Sequence, residues 1–280
     1  MPPMERIGVV VKQDPEALTT ADALEAWLQD RGVSTLRRRN AASEDGPEPD
    51  GLACVFVLGG DGTFLSAVRW LGDRPIPILG VKFGEVGFLA ETTADDLYGA
   101  AEAVLAGNFS VQPRMRLQIT VQRGGHTRWQ ETVLNDAVIN KGTLARLASI
   151  QTFIGDHYLT TYRADGLILA TPTGSTAYSL AAGGPVVHPQ VPGIVMTPIC
   201  PFTLTNRPLV IPDTASIMVR LEPDSATMIL TLDGQAGLEI SDADTIVVCK
   251  SPHPVHMLTI PGKDYFDILK AKLSWSGGRV

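Results

Sequence analysis

The hydrophobic periodicity of this chain changes once, near residue 109, and that change narrows the possible folds more than any single motif. Before it, short apolar runs alternate with segments of helical spacing. "RIGVVVK" (6–12) reads as a buried strand, and "DPEALTTADALEAWLQDRG" as a helix with Leu18, Ala21, Leu24 and Leu28 near one face, ending at Gly32. "VSTLRRR", "CVFVL" and "IPILGVKFGEVGFLAE" supply further strands, the last followed by a glycine-studded turn, and "DDLYGAAEAVLAGN" supplies another helix. Alternation of this kind implies parallel strands joined by crossover helices. Beyond residue 109, "RMRLQITVQRGGHTRWQETVLNDAVIN" alternates apolar and polar residues around Gly124-Gly125, a hairpin signal. Similar pairs around "IGDHYL", "LEPDSATMILTL" and "TLDGQAGLEI" predict a mainly antiparallel β domain. Pro252, Pro254 and Pro261 break the pattern before "KDYFDILKAKL", an amphipathic helix expected to pack back on the first domain. The expected division is 1–108 joined by 260–280, and 109–259.

Composition removes several classes of function. No apolar run approaches the roughly 18 residues of a bilayer span. The start, "MPPMERIGVVVKQ", lacks a basic segment followed by a long apolar one, so a cytoplasmic location is expected and no membrane partner. Cys54, Cys200 and Cys249 are odd in number, far apart and set in apolar sequence; they read as buried thiols rather than as a disulfide framework or a zinc site. His253 and His256, set among prolines, read as a surface loop rather than a metal pair. A net charge of −7 argues against a nucleic-acid or anionic-lipid surface. Any phosphate must therefore be held locally.

Two stretches offer that. In "CVFVLGGDGTFLSAVRW" (54–70) a buried strand gives way to a helix through three glycines and one carboxylate, Asp61. In an open α/β sheet this junction lies at the carboxyl end of the strand, where ligands bind. Glycines permit positive φ and close backbone approach, and the helix start adds a partial positive charge. The alternative is that Asp61 only caps the helix. Three glycines exceed what a cap needs.

"YRADGLILATPTGSTAYSLAAGGP" (162–185) repeats the device: a buried strand at 167–170, a hydroxyl-rich loop at 171–176 and a short helix closed by Gly183 and Gly184. Its hydroxyls and N–H groups suit phosphate or ribose, or else form an N-cap and turn. Between the two, "VLNDAVINKG" sets Asn135 and Asp136 in a strand-like run that disfavours both. A carboxamide beside a carboxylate suits the vicinal hydroxyls of a ribose; a bulge or strand end also explains the pair. Arg163 and Asp165 form a solvated pair or read the polar edge of a base. There is neither a G-x-x-x-x-G-K-[ST] loop nor a G-x-G-x-x-G after the first strand.

Taken in order, "LGGDGTFLSAVR", "GVKFGEVGFL", "LNDAVINKG", "YRADGLILATPTGSTAYSLAAGGP" and "LTLDGQ" resemble the NAD kinase family over most of the chain. "GGDGT" alone is shared with lipid kinases, whereas "TPTGSTAYSLAAGGP" is far more specific. The resemblance implies an α/β plus β-rich fold: a Rossmann-like N-terminal domain, a mainly antiparallel second domain and an active site in the cleft between them. It implies transfer of the terminal phosphoryl group of ATP to the 2′-hydroxyl of the adenosine ribose of NAD, with a divalent cation, Mg2+, and a homodimer or homotetramer. Asp61 would be the base. Gly62 would approach the phosphates, Asn135 and Asp136 would hold ribose hydroxyls, and Arg163 and Asp165 would contact the nucleotide. Thr176, Ala177, Tyr178, Ser179, Leu180 and Ala181 would line the NAD pocket, with Arg146 and Gln235 further contacts. No metal ligand is named. Against the family pattern, Lys82 stands for Asn, Glu85 and Val86 for a basic-Leu pair, Asp136 for Glu and Phe202 for His. The alternatives are a lipid kinase, which the acidic composition does not favour, and a non-catalytic NAD(P)-binding sensor.

Overall fold

A computed structural model of the chain describes residues 4–40, 47–83, 87–90, 92–142, 148–223, 227–262 and 264–275. It divides into two compact units, Met1–Pro113 with Val255–Val280, and Arg114–Pro254.

The first unit opens with β1 (Arg6–Val11), α1 (Pro15–Gln29), β2 (Ser34–Arg39), β3 (Cys54–Leu58) and α2 (Asp61–Leu71). It continues with β4 (Ile78–Lys82), β5 (Thr92–Thr93), α3 (Leu97–Leu105) and β6 (Ser110–Arg114). α1 starts where the sequence says it should: Asp14 caps it by accepting the N–H groups of Glu16 and Ala17, with Pro15 in the first turn. Ala17, Ala21, Leu24 and Leu28 then fall on its buried face. β3 is buried at every position. β1 pairs in parallel with β2 and β3, and β3 in parallel with β4. This is a doubly wound α/β arrangement, with α1 and α3 packed against the sheet through Leu24, Leu28, Leu97 and Val104.

The second unit is antiparallel throughout its described pairings. Its elements are β7 (Leu117–Arg123), β8 (His126–Val133), β9 (Asp136–Lys141), β10 (Ala148–Ile154), β11 (His157–Ala164) and β12 (Gly166–Ala170). A 3-10 turn at Thr173–Thr176 and the short α4 (Tyr178–Ala181) follow. The remaining strands are β13 (Gly193–Ile199), β14 (Leu209–Pro212), β15 (Ile217–Leu221), β16 (Met228–Leu232), β17 (Ala236–Ile240) and β18 (Asp244–Lys250). One sheet runs β11-β10-β15-β18-β7-β8 and the other β14-β13-β12-β9-β16-β17. Their facing sides share one core, with Ile119, Ile150, Val219 and Ile246 from the first meeting Ile139, Leu167, Met196 and Leu230 from the second.

The chain then re-enters the first unit through β19 (Val255–Thr259) and α5 (Tyr265–Lys272). β19 lies between β4 and β6, so residues 110–114 and 255–259 both extend the α/β sheet. Alternation marks a segment as a strand but does not say which sheet it joins, which is why the sequence division stops short at both ends. His256 accordingly sits in a strand, not a loop.

Two further expectations change. "LEPDSATMILTL" is not a hairpin: β15 lies between β10 and β18, whereas β16 lies between β9 and β17 in the other sheet. Pro223, which has no N–H to donate, stands where the chain leaves the first sheet. The cysteines are all free, but only Cys54 is buried; Cys249 is half-buried and Cys200 is exposed, in a left-handed conformation at φ 45°. Among the described residues, no helix is long and apolar enough to cross a membrane.

Candidate active site

In the first unit the chemistry gathers at the carboxyl ends of β3 and β4. Gly60, not Asp61, is the N-cap of α2, and no side chain caps that helix. Asp61 turns its carboxylate instead to the segment after β4: Oδ2 accepts the Phe88 N–H at 3.0 Å and Oδ1 accepts the Leu89 N–H at 3.1 Å. Capping is thus not its role. Gly87 makes this approach possible, since a Cβ there would fall 2.0 Å from Asp61 Oδ1. The segment is braced from α5, where Lys272 Nζ lies 5.2 Å from the Phe88 ring centre. The glycines beside Asp61 do not use positive φ. A Cβ at Gly60 or Gly62 would meet nothing within 4 Å, so their want of side chains leaves the main chain uncovered. Asp61 itself is half-buried, Gly62 is exposed, and Lys82 ends β4 half-buried. Glu85 and Val86 lie outside the described residues.

In the second unit a cavity of about 320 Å³ is lined by Asn135, Asp136, Val138, Asn140, Ala177, Tyr178, Thr231, Asp233 and Gly234. That is at the small end of the roughly 300–1,000 Å³ of small-molecule sites. Asp136, Val138 and Asn140 alternate along β9, and Thr231 pairs with Val138 from β16, so one face of two adjacent strands makes its floor. β8 ends at Val133 and β9 begins at Asp136, which makes Asn135 the break between them. Asp136 is only 4% exposed. Burial first, and then the charge of Asp233, push its carboxyl up from the usual 3.8 to about 7, although the Tyr178 N–H donates to it.

The hydroxyl-rich loop works differently from its sequence promise. Thr171 Oγ1 donates to the Leu134 carbonyl and accepts the Gly174 N–H. Ser175 Oγ lies against the Pro172 and Val187 carbonyls and accepts the Val187 N–H, and Thr176 Oγ1 donates to the Thr173 carbonyl. Ser179, fully buried, shares a 2.8 Å hydrogen bond with Thr197. Most of the hydroxyls therefore hold the loop itself. Thr173 Oγ1 is the exception, buried without a hydrogen-bond partner.

Of the residues singled out in the sequence, Asn135, Asp136, Ala177 and Tyr178 share the cavity. Thr176 and Leu180 are half-buried beside it in the chain, and Ala181 and Gln235 are exposed. Asp165 pairs with Lys141 at 2.6 Å, and the Arg163 guanidinium lies 5.4 Å from the ring centre of the exposed Phe202. Arg146 lies outside the described residues. Asn140, Thr231 and Asp233 line the cavity without having been singled out. Period-two spacing from Asp136 would have found Asn140, whereas Asp233-Gly234 reads in sequence only as turn chemistry.

Among the described residues, neither region offers the dense cationic patch by which many proteins grip phosphate; both present main chain, carboxylates and amides. A chain that carries both a Rossmann-like unit and an antiparallel β unit, each with such a site, has the make-up of a nucleotide-dependent phosphotransferase. Residues 47–109 match the model of the ATP-NAD kinase N-terminal domain and residues 134–260 that of the ATP-NAD kinase C-terminal domain. An NAD kinase of Desulfatibacillum aliphaticivorans is 54% identical over 99% of this chain and all of its own length. The crystal structure of yeast NADH kinase complexed with NADH superposes at a TM-score of 0.87, with 27% identity over 98% of this chain and 89% of that one. An NAD kinase from Archaeoglobus fulgidus in complex with ATP superposes at 0.77, with 26% identity over 97% of this chain and all of that one. The chain belongs to the NAD kinase family.

Proposed function

We propose that the chain transfers the terminal phosphoryl group of ATP to the 2′-hydroxyl of the adenosine ribose of NAD, giving NADP and ADP. The observation that carries the reading is Asp61, a carboxylate at a glycine junction that spends its hydrogen bonds on orientation instead of capping. In the step itself the ribose oxygen attacks the terminal phosphorus, a new O–P bond forms as the bond to the bridging oxygen breaks, and ADP carries away that electron pair. Asp61 takes the hydroxyl proton. Asn135 and Asp136 hold the ribose by amide and carboxyl, and Ala177 and Tyr178 wall the nucleoside. Gly62 leaves room for phosphate; Arg163, Asp165, Gln235, Arg146, Thr176, Leu180 and Ala181 are the outer contacts of the nucleotides, and Ser179 lines the pocket by its main chain while its hydroxyl bonds to Thr197. Such transfer needs chiefly positioning and charge stabilisation.

A divalent cation, Mg2+, completes the reading as a partner of ATP. Among the described residues no three His, Cys, Asp or Glu side chains come together, so the donor set does not make a resident protein cage. The ion fits as one carried by the phosphates and water, supplying charge neutralisation. A cytoplasmic location accords with three free cysteines. A homodimer or homotetramer accords with the exposed Phe202, Leu204, Leu209 and Val210 on and before β14.

The test is turnover: purified protein, ATP, Mg2+ and NAD, with NADP followed through a coupled dehydrogenase. NADP formation is expected. A folded protein that binds NAD yet forms no NADP overturns the proposal and leaves a sensor.

A further inference from the structure

The cavity owes its shape to a carboxylate in a turn that would ordinarily be read as nothing more. Asp233 stands between β16 and β17 at φ 49°, followed by Gly234 at φ 64°, the left-handed pair of a tight hairpin. Its side chain leaves the hairpin and meets three successive main-chain donors. Oδ2 accepts the Leu134 N–H at 2.9 Å; Oδ1 accepts the Asn135 N–H at 2.7 Å and the Asp136 N–H at 3.1 Å. The Asp233 N–H returns a bond to the Asp136 carbonyl at 2.9 Å. Three converging N–H groups form an anion nest, and here the anion is built in.

The opposite side of the same turn is also held. The Thr171 N–H donates to the Asn135 carbonyl, and Thr171 Oγ1 donates to the Leu134 carbonyl. The break between β8 and β9 is thus gripped by its N–H groups from Asp233 and by its carbonyls from Thr171. Asn135, Asp136 and Asp233 all line the cavity.

We propose that Asp233 is a positioning residue for nucleoside binding: by gripping the N–H groups of 134–136 it fixes the Asn135 carboxamide and the Asp136 carboxyl toward the ribose. This rests on the reading of the cavity as the nucleoside site of NAD. A charge-assisted acceptor for three main-chain donors, two of them on the buried Leu134 and Asp136, is strong anchorage. The charge of Asp233 also acts on Asp136, whose carboxyl burial and this neighbour raise. Among the described lining residues the ionisable ones are Asp136, Asp233 and Tyr178, and no lysine, arginine or histidine is among them. The nearby cation on β9, Lys141, is paired with Asp165.

The test compares full-length wild type with Asp233→Ala and Asp233→Asn. For alanine, KM for NAD rises about tenfold or more, kcat falls less, KM for ATP stays, and amide hydrogens at 134–136 exchange faster. Asparagine keeps one oxygen for the Asn135 and Asp136 N–H groups, so its KM for NAD is intermediate. Its pH profile of KM for NAD shifts to lower pH, because the neighbouring charge is gone. A role confined to stability lowers the melting temperature without moving either KM or that profile. Unchanged KM for NAD in the folded asparagine variant, with an unchanged pH profile, overturns the proposal. Should alanine fail to fold, the asparagine variant decides. Should wild type form no NADP, the functional reading fails, and amide exchange with NAD calorimetry still judges the positioning: unaltered exchange at 134–136 overturns it.

Discussion

The two strand-to-helix junctions, at 59–61 and 171–178, look alike in sequence: a buried apolar strand, a cluster of small residues, a helix. They behave differently. At the first, the carboxylate turns away from its own helix to the Phe88 and Leu89 amides, and Gly60 and Gly62 leave the backbone open. At the second, hydroxyls of Thr171, Ser175, Thr176 and Ser179 bond within the unit, and the loop becomes a rigid brace behind Asn135. Small polar residues after a strand can thus be reactive equipment or internal carpentry. What separates them is exposure: Asp61 stays half-buried and Gly62 exposed, whereas Thr171, Ser175 and Ser179 are buried with their hydroxyls bonded inside the unit.

The contrast can be broken at several places. The largest effect is expected at Asp61→Asn, where kcat should fall about 10²- to 10⁴-fold while NAD binding by calorimetry is largely kept. Persistent turnover would reduce Asp61 to a loop anchor. Two alanines come next. Gly87→Ala drives a Cβ into the Asp61 carboxylate, so kcat should fall about 10²-fold with KM for NAD unchanged. Gly174→Ala drives one to 2.1 Å from the Asn135 carbonyl and should raise KM for NAD and lower the melting temperature instead. If both variants changed the same parameter, the division of labour between the junctions would be lost.

A smaller effect concerns pH. Burial and then Asp233 raise the Asp136 carboxyl from 3.8 to about 7, so the folded state holds that proton more tightly than the unfolded chain does. Its stabilisation is full below about pH 4 and lost as pH rises through about 7. Asp136→Asn should therefore lessen the fall in stability between pH 5 and pH 8, by on the order of 2 kcal/mol in urea unfolding. The smallest effect is Ser179→Ala, which removes the bond to Thr197 and should cost about 1 kcal/mol without kinetic change. A rise in KM for NAD there would mean that the hydroxyl serves the ligand, and the two junctions would be alike after all.

Much of this was legible beforehand. Asp14 and Pro15 announce α1, the fully apolar β3 announces a buried parallel strand, and Gly124-Gly125 and Asp233-Gly234 announce their hairpins. Asn135, Asp136, Ala177 and Tyr178 were singled out and line one cavity. Asp233 and Thr231 were not, because they reach that cavity by strand pairing across some hundred residues of chain. Ser179, which the resemblance places along the NAD pocket, spends its hydroxyl on Thr197.

The sequence by itself determined most of the strands, helices and turns, and where permissive residues meet a carboxylate, because periodicity, caps and turn conformations depend on neighbours a few residues away. Tertiary structure alone decided that β6 and β19 join the α/β sheet, that β15 and β16 part company, that Asp61 grips the 88–89 amides and that Asp233 grips those of 134–136. Each of these is a choice of hydrogen-bond partner. A donor or acceptor carries no address in the sequence, and its partner is fixed only when the packed chain leaves one within reach.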